Sequence, residues 1–273
     1  MIKDWHDKSV IVTGAGTGIG RAVSHELASR GAIVYVTGLD LGECQTVARD
    51  ITAKGFQAIA AQLDVNNWDE FKAVMQQVKE QQGKLDVLIN NAGILFVGEF
   101  YDMDEHFIEK LVQTNITSVT VGTLYAYRLM KEQGHGLIIN IASIGGFSPT
   151  PTMAAYAACK HAVIGLTNSL VKEAAEFSVD IRAVCFGLTQ SALFKNAEMK
   201  YGNEQTVFAM LPVKPLATDI AAKLFIDQVA KNNHLMYVPF SSRLMWWLSR
   251  FFPSLLYKGA ADTIKKYREI SSR

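Results

Sequence analysis

Val10-Ile11-Val12-Thr13-Gly14-Ala15-Gly16-Thr17-Gly18-Ile19-Gly20 decides how this chain folds. A short β-branched run, which favours a strand, passes into a glycine-rich turn and then into residues 22–29, whose apolar spacing predicts a helix. The glycines stand as G-x-x-x-G-x-G at Gly14, Gly18 and Gly20. Between a strand and a helix the turn must be tight, and glycine removes the Cβ atoms that would keep a pyrophosphate away from the backbone N–H groups. The stretch therefore predicts a dinucleotide site at the start of the first helix; the competing reading is a purely structural turn.

Working outward, further short apolar runs at 33–36, 58–60, 85–89, 137–141, 181–184 and 235–238 predict strands. They are mostly continuous rather than alternating, as expected of strands covered on both faces. Between them, 42–53, 68–81, 107–131, 155–177 and 218–231 carry helical spacing. A repeated strand–helix unit predicts an α/β, doubly wound, seven-stranded parallel sheet with helices on both faces. The first proline is Pro149, and no linker or low-complexity tract breaks the 273 residues. A single catalytic domain over 1–240 with a distinct tail over 241–273 is the expected organisation.

Hydrophobic residues at 49% supply a core and exclude disorder. With 27 Lys plus Arg against 26 Asp plus Glu, no global field is available to hold a polyanion, so nucleic acid is not an expected partner. Cys44, Cys159 and Cys185 stand apart, which fits neither a disulfide framework nor a thiolate metal site and points to a cytoplasmic protein. The polar residues 1–9 run straight into the first strand, so no signal peptide is expected. The six histidines show no ligand spacing, and no metal is expected.

Tyr156 and Lys160 are four apart on a helical stretch and so share a face. A free phenol titrates near about 10, and an adjacent ammonium is expected to lower that by favouring the phenolate. Such a pair on its own is commonly a solvated surface pair. Ser143, however, follows the strand at 137–141 and so falls at the C-terminal strand ends, where ligands bind in open α/β sheets.

Taken in order, Thr13 to Gly20, Asp64-Val65, Asn90-Asn91-Ala92-Gly93, Asn115, Ser143, and Tyr156 with Lys160 make the chain resemble the short-chain dehydrogenase/reductase family in its compact, single-domain branch. The resemblance implies a Rossmann fold and a catalytic tetrad of Asn115, Ser143, Tyr156 and Lys160 acting on an alcohol or carbonyl. Tyr156 would exchange the proton, Ser143 would bond the reacting oxygen, Lys160 would hold the nicotinamide ribose, and Asn115 would anchor a relaying water. It also implies cofactor contacts from Thr13, Gly14, Gly18, Ile19 and Gly20, adenine contacts from Asp64 and Val65, and a sheet centre braced by Asn91, Ala92 and Gly93. After the sixth strand the family's Pro-Gly turn reads Phe186-Gly187-Leu188-Thr189-Gln190-Ser191 here, with Ser191 in place of a threonine; Gly187, Thr189 and Ser191 are the implied contacts near the nicotinamide. Homodimers or homotetramers are likewise implied.

The choice of dinucleotide rests on the end of the second strand. By resemblance the usual acid position is Gly38, and the positions where an arginine grips a 2′-phosphate are Thr17 and Leu39. Asp40 follows two residues later. One carboxylate and no cation favour NAD over NADP. The leading expectation is an oxidoreductase moving hydride between NAD(P) and an alcohol or ketone; the alternative is a dinucleotide sensor or scaffold that keeps the fold without the chemistry.

In residues 241–273 seven basic side chains face two acidic ones, a net +5 that leaves −4 on the first 240 residues. Leu244-Met245-Trp246-Trp247-Leu248, Phe251-Phe252 and Leu255-Leu256-Tyr257 form an apolar stretch too interrupted to span a bilayer, which takes about 20 residues. It reads as a cover over the substrate cleft, a subunit contact, or a helix over 243–258 lying on a membrane surface with Trp246, Trp247 and Phe251 in the headgroups. Each reading favours an apolar substrate, such as a long-chain, isoprenoid or steroid-like alcohol or ketone.

Overall fold

The structure is a computed structural model that describes residues 4–211, 213–231 and 233–271, so that Met1 and Arg273 of the sequence reading lie outside the described residues. The strands are β1 (Ser9–Val12), β2 (Ile33–Gly38), β3 (Gln57–Gln62), β4 (Val87–Asn90), β5 (Phe96–Val97), β6 (Gly136–Ser143), β7 (Val179–Phe186), β8 (Glu198–Met199) and β9 (Leu235–Val238). The helices are α1 (Gly18–Ser29), α2 (Leu41–Thr52), α3 (Trp68–Gln82), α4 (Glu105–Val112), α5 (Ser118–Gln133), α6 (Ala154–Ala175), α7 (Ala192–Lys195), α8 (Glu204–Met210), α9 (Thr218–Val229), α10 (Ser242–Phe251) and α11 (Pro253–Ser271).

Seven strands form one parallel sheet in the order β3-β2-β1-β4-β6-β7-β9, as the seven apolar runs predict. The order reverses between β1 and β4, the place where an open α/β sheet leaves a crevice at its carboxyl ends. Side chains alternate between two cores. Val10, Val12, Val34 and Val36 face α1, α2 and α9 through Leu27, Ile51 and Phe225. Ile11, Tyr35, Leu88 and Ile138 face α3, α5 and the end of α6 through Phe71, Met130 and Ala174. Because both faces are covered, each strand reads as an unbroken apolar run.

Three features differ from the sequence reading. The helix expected over 107–131 is two helices, α4 and α5, joined by a π-helical turn at Gln113–Thr117. The two-residue strands β5 and β8 pair in a separate small sheet, and they carry too few residues to show a period. The tail forms α10 and α11, with Phe252 ending the first and Pro253 opening the second, where the missing N–H costs nothing. Among the described residues no helix is long and apolar enough to cross a membrane.

Candidate active site

At the head of α1, Gly14 and Gly18 adopt φ of +62° and +54°, which L side chains rarely take. A Cβ on Gly20 would lie 2.3 Å from the Gly14 carbonyl oxygen, so helix and turn touch backbone to backbone. Ile19 packs half-buried on the α1 side of the core. The Thr13 hydroxyl accepts from the N–H groups of Asn91 (2.9 Å) and Ala92 (3.0 Å), while Asn91 Nδ2 donates to the carbonyls of Thr13 (2.8 Å) and Gly14 (3.1 Å). Asn91 and Ala92 thus bolt the turn after β1 to the end of β4.

Side-chain capping differs from helix to helix, and α6, α9 and α10 begin without it. Asp40, Asn67 and Asp104 cap α2, α3 and α4 through their side chains, whereas Thr17 at the start of α1 makes no such bond. The first turn of α1 also lacks an acidic residue. Its N–H groups and the positive end of the helix dipole suit an anion. A cleft of about 450 Å³ opens beside it, lined in part by Gly18, Arg21, His25, Ser191 and Lys195. These residues fit a dinucleotide pyrophosphate.

At the end of β2, Asp40 accepts from Glu43 N at 3.0 Å, so the carboxylate that sequence reasoning offers to the ribose is also the α2 cap. Glu43 is a residue that sequence reasoning missed. A Cβ on Gly16 would lie 3.0 Å from Glu43 Oε2, which places this carboxylate directly over the glycine turn. Next door, the Asp64 carboxylate accepts from Asn66 N at 2.9 Å and Val65 is buried, fixing the loop after β3. On the opposite side, Gly187 N donates to Val238 O at 2.7 Å, and Thr189 and Ser191 are buried. The Ala192 nitrogen at the start of α7 would lie 3.2 Å from a Cβ on Gly18, so the loop after β7 closes against the head of α1.

Ser143 ends β6, and its Oγ accepts from Gly145 N at 3.1 Å, starting a tight turn. Gly146 in that turn faces α6 so closely that a Cβ would lie 2.8 Å from the Lys160 carbonyl oxygen. That close approach brings Ser143 up to Tyr156 on α6, near enough for the serine hydroxyl to act on the phenol. Lys160, one turn further on, is buried, sits 5.5 Å from the Tyr156 ring centroid and donates from Nζ to Ile141 O at 2.8 Å. Burial lowers its ammonium to about 8.

The Tyr156 phenol departs from the expectation that Lys160 lowers it. Burial pushes it well above its usual value, and the nearby Ser143 hydroxyl pulls the other way without overcoming burial. Desolvation penalises both charged forms here, so the pair holds its charge less readily than a solvated Tyr–Lys pair would.

Asn115 lies fully buried in the π-helical turn, where its amide oxygen accepts from Ile94 N at 2.9 Å and its Nδ2 donates to Ile94 O at 2.8 Å. The side chain therefore clamps the loop that follows Gly93. Behind it, Asn90 Nδ2 donates to Asn140 Oδ1 at 2.9 Å, and Asn140 Nδ2 donates to Thr167 at 3.1 Å, linking β4, β6 and α6 in a buried polar network that no local motif announces.

The far wall of the site is apolar. Leu95, Val97, Met153, Val207, Met210 and Tyr267 form one buried cluster against which Tyr156 packs. Tyr267 belongs to α11, and the next residue, Arg268, grips Glu99 at 3.0 and 2.7 Å. The end of the tail is therefore packed onto the same wall as Tyr156.

A family model described as short chain dehydrogenase matches residues 8–202. The chain belongs to the short-chain dehydrogenase family. It is an oxidoreductase of that family, dependent on NAD(P) and acting on CH–OH groups. This short-chain dehydrogenase is 32% identical over 216 residues, 76% of its length and 84% of the other's, to the uncharacterized oxidoreductase YxjF of Bacillus subtilis (strain 168). It is 38% identical over 185 residues, 67% of its length and 75% of the other's, to the 3-oxoacyl-[acyl-carrier-protein] reductase FabG of Staphylococcus aureus (strain Mu50 / ATCC 700699). Its fold matches, with a TM-score of 0.81 at 22% identity over 89% of this chain and 93% of the other, that of a short chain dehydrogenase/reductase from Burkholderia phymatum in complex with NAD.

Proposed function

We propose that this enzyme uses NAD in preference to NADP to interconvert an apolar alcohol and its ketone, with Tyr156 as the general acid and base. The observation that carries the reading is the meeting of Ser143, Tyr156 and Lys160 at the strand ends against an apolar wall. When bound, the dinucleotide supplies or accepts the hydride. The N–H groups at the head of α1 would hold its pyrophosphate, Asp64 and Val65 would flank its adenine, and Lys160 would hold its nicotinamide ribose.

In reduction, Tyr156 gives its phenolic proton to the carbonyl oxygen while Ser143 donates a hydrogen bond to the same oxygen, so the developing alkoxide never stands unpaired. The phenol, at about 10 when free and raised further by burial, is protonated at neutral pH, the form this step consumes. In oxidation the proton returns to Tyr156. Asn115 holds the Ile94 loop at the edge of the site. A 2′-phosphate would face both Asp40 and Glu43, which supports NAD.

The apolar cluster of Leu95, Val97, Met153, Val207 and Met210 beside Tyr156 favours an aliphatic or fused-ring substrate, and α11 is held over that cluster by Tyr267 and the Arg268–Glu99 pair. The 3-oxoacyl group in the name of the S. aureus relative is itself a ketone on an acyl chain, in keeping with such a wall. Val112 and Leu124, left exposed on α4 and α5, suit a homodimer or homotetramer contact. A panel of short, long-chain, isoprenoid and steroid-like alcohols and ketones, followed by NADH and NADPH absorbance, tests the reading. Turnover should rise with apolar size. Cofactor binding without turnover of any member would favour a sensor instead.

A further inference from the structure

The tail splits into two faces with different fates. On α10, Ser242 and Trp246 point inward: Ser242 is buried and Trp246 lies 6.4 Å from the Tyr237 ring on β9. Trp246 is thus a packing residue, not the exposed ring that the sequence suggests. Its neighbour Trp247 points the other way. Leu244, Trp247 and Phe251 follow at steps of three and four, continuing a stripe that begins with Phe240, and they are 60%, 46% and 59% exposed. The Trp247 ring packs at a tilt against Phe251 and Phe252, with centroids 5.3 and 5.4 Å away, and Leu255 extends the patch onto α11. A soluble monomer seldom leaves so contiguous an aromatic and aliphatic surface bare.

The patch is edged by cations. Arg243 lies 5.7 Å from the Phe240 ring, and Arg243, Arg250 and Lys258 take part in no ion pair among the described residues. A twofold contact with a second copy sets a patch against the same patch, which would gather these cations from both copies around one apolar interface. The far wall does not cover the patch either, because α11 reaches that wall through Tyr267, much further along the helix than Leu255. An amphipathic helix with aromatic side chains on one face and unpaired Arg and Lys at its border matches the physics of an interfacial helix on anionic lipid.

We propose that α10 and the first turns of α11 dock this enzyme on an anionic phospholipid surface, with Leu244, Trp247, Phe251 and Phe252 in the headgroup boundary and Arg243, Arg250 and Lys258 against the phosphates. The basic tail approaches the surface while the acidic remainder of the chain stays away from it. This docking does not rest on the catalytic reading, since none of these side chains touches Ser143, Tyr156 or Lys160.

The test is sedimentation of the full chain with vesicles of phosphatidylcholine mixed with phosphatidylglycerol, and with phosphatidylcholine alone. The wild type should pellet with the anionic vesicles at low salt, less so at high salt, and hardly with the neutral ones. L244E/W247E/F251E and R243Q/R250Q/K258Q should each reduce the bound fraction about tenfold or more. Circular dichroism confirms that the variants, all altered at exposed positions, remain folded. A wild type that stays in the supernatant at low salt overturns the proposal. So does equal pelleting of wild type and both variants. A wild-type dimer that L244E/W247E/F251E converts to a monomer in sedimentation velocity would show that the patch is a subunit contact and would also overturn it.

Discussion

Lys160 Nζ donates to the Ile141 carbonyl at 2.8 Å, which ties the Tyr156 face of α6 to the strand that ends in Ser143. The ammonium is buried there, and burial lowers it to about 8 from an ordinary value near about 10.4. Between those values the unfolded chain carries a proton that the folded chain has shed, so this group makes stability rise with pH across that window. The buried thiols of Cys44, Cys159 and Cys185, raised above their ordinary range, act in the opposite sense as pH rises past about 9. The melting temperature of the wild type relative to Lys160→Met should therefore climb by several degrees from pH 8 to pH 10. A flat difference across thermal scans would remove the buried ammonium from the account.

Tyr156→Phe keeps the ring that packs on Leu95 and Val97 and deletes only the transferable proton. Turnover should fall about a hundred-fold to ten-thousand-fold, while NADH affinity, read by nucleotide fluorescence, stays within about twofold. A Phe variant with a near wild-type rate on a confirmed substrate would reassign the acid.

The proposed preference for NAD rests on repulsion of a 2′-phosphate by Asp40 and Glu43. NADH should bind more tightly than NADPH to the wild type. Asp40→Asn with Glu43→Gln retains a cap for α2 and removes both charges, so the ratio of the two dissociation constants should narrow by about tenfold. A wild type that prefers NADPH would sink the argument.

The Tyr267 hydroxyl is buried with no hydrogen-bond partner among the described residues, and burial followed by the Asp102 charge pushes its phenol up to about 12. Removing a buried, unpartnered hydroxyl should cost nothing, so Tyr267→Phe should leave urea stability equal or raise it by about 1 kcal/mol. Tyr267→Ala should cost about 3 to 5 kcal/mol and raise KM for apolar substrates by opening the far wall. A stability loss for the Phe variant as large as for Ala would mean that the hydroxyl has a partner.

Much of this was legible in the residues, for a physical reason in each case. Strands such as 10–12 and 137–141 are buried on both faces and so read as continuous apolar runs. Tyr156 and Lys160 are local to one helix, where spacing alone sets the face. What spacing cannot carry is tertiary. Glu43 reaches Gly16 only because of how α2 crosses the turn, and a Cβ at Gly38, the position an acid usually fills, would meet Cys44 Sγ at 3.1 Å. The rise in the Tyr156 phenol depends on burial contributed by distant segments. Which of Trp246 and Trp247 faces inward is decided by Tyr237 on β9. The π-helical turn at Gln113–Thr117 leaves no compositional mark, since its residues are compatible with an ordinary helix.

The bare head of α1 has an energetic counterpart. Asp40, Asn67 and Asp104 complete their own helices from within the chain, but α1 leaves that task to whatever anion seats there. A dinucleotide held at a hundred times its dissociation constant would add about 2.7 kcal/mol to the folded state. The enzyme's lifetime in a cell would then follow the supply of its nucleotide: chains made when that pool runs low would open more often, and proteolysis would remove them first.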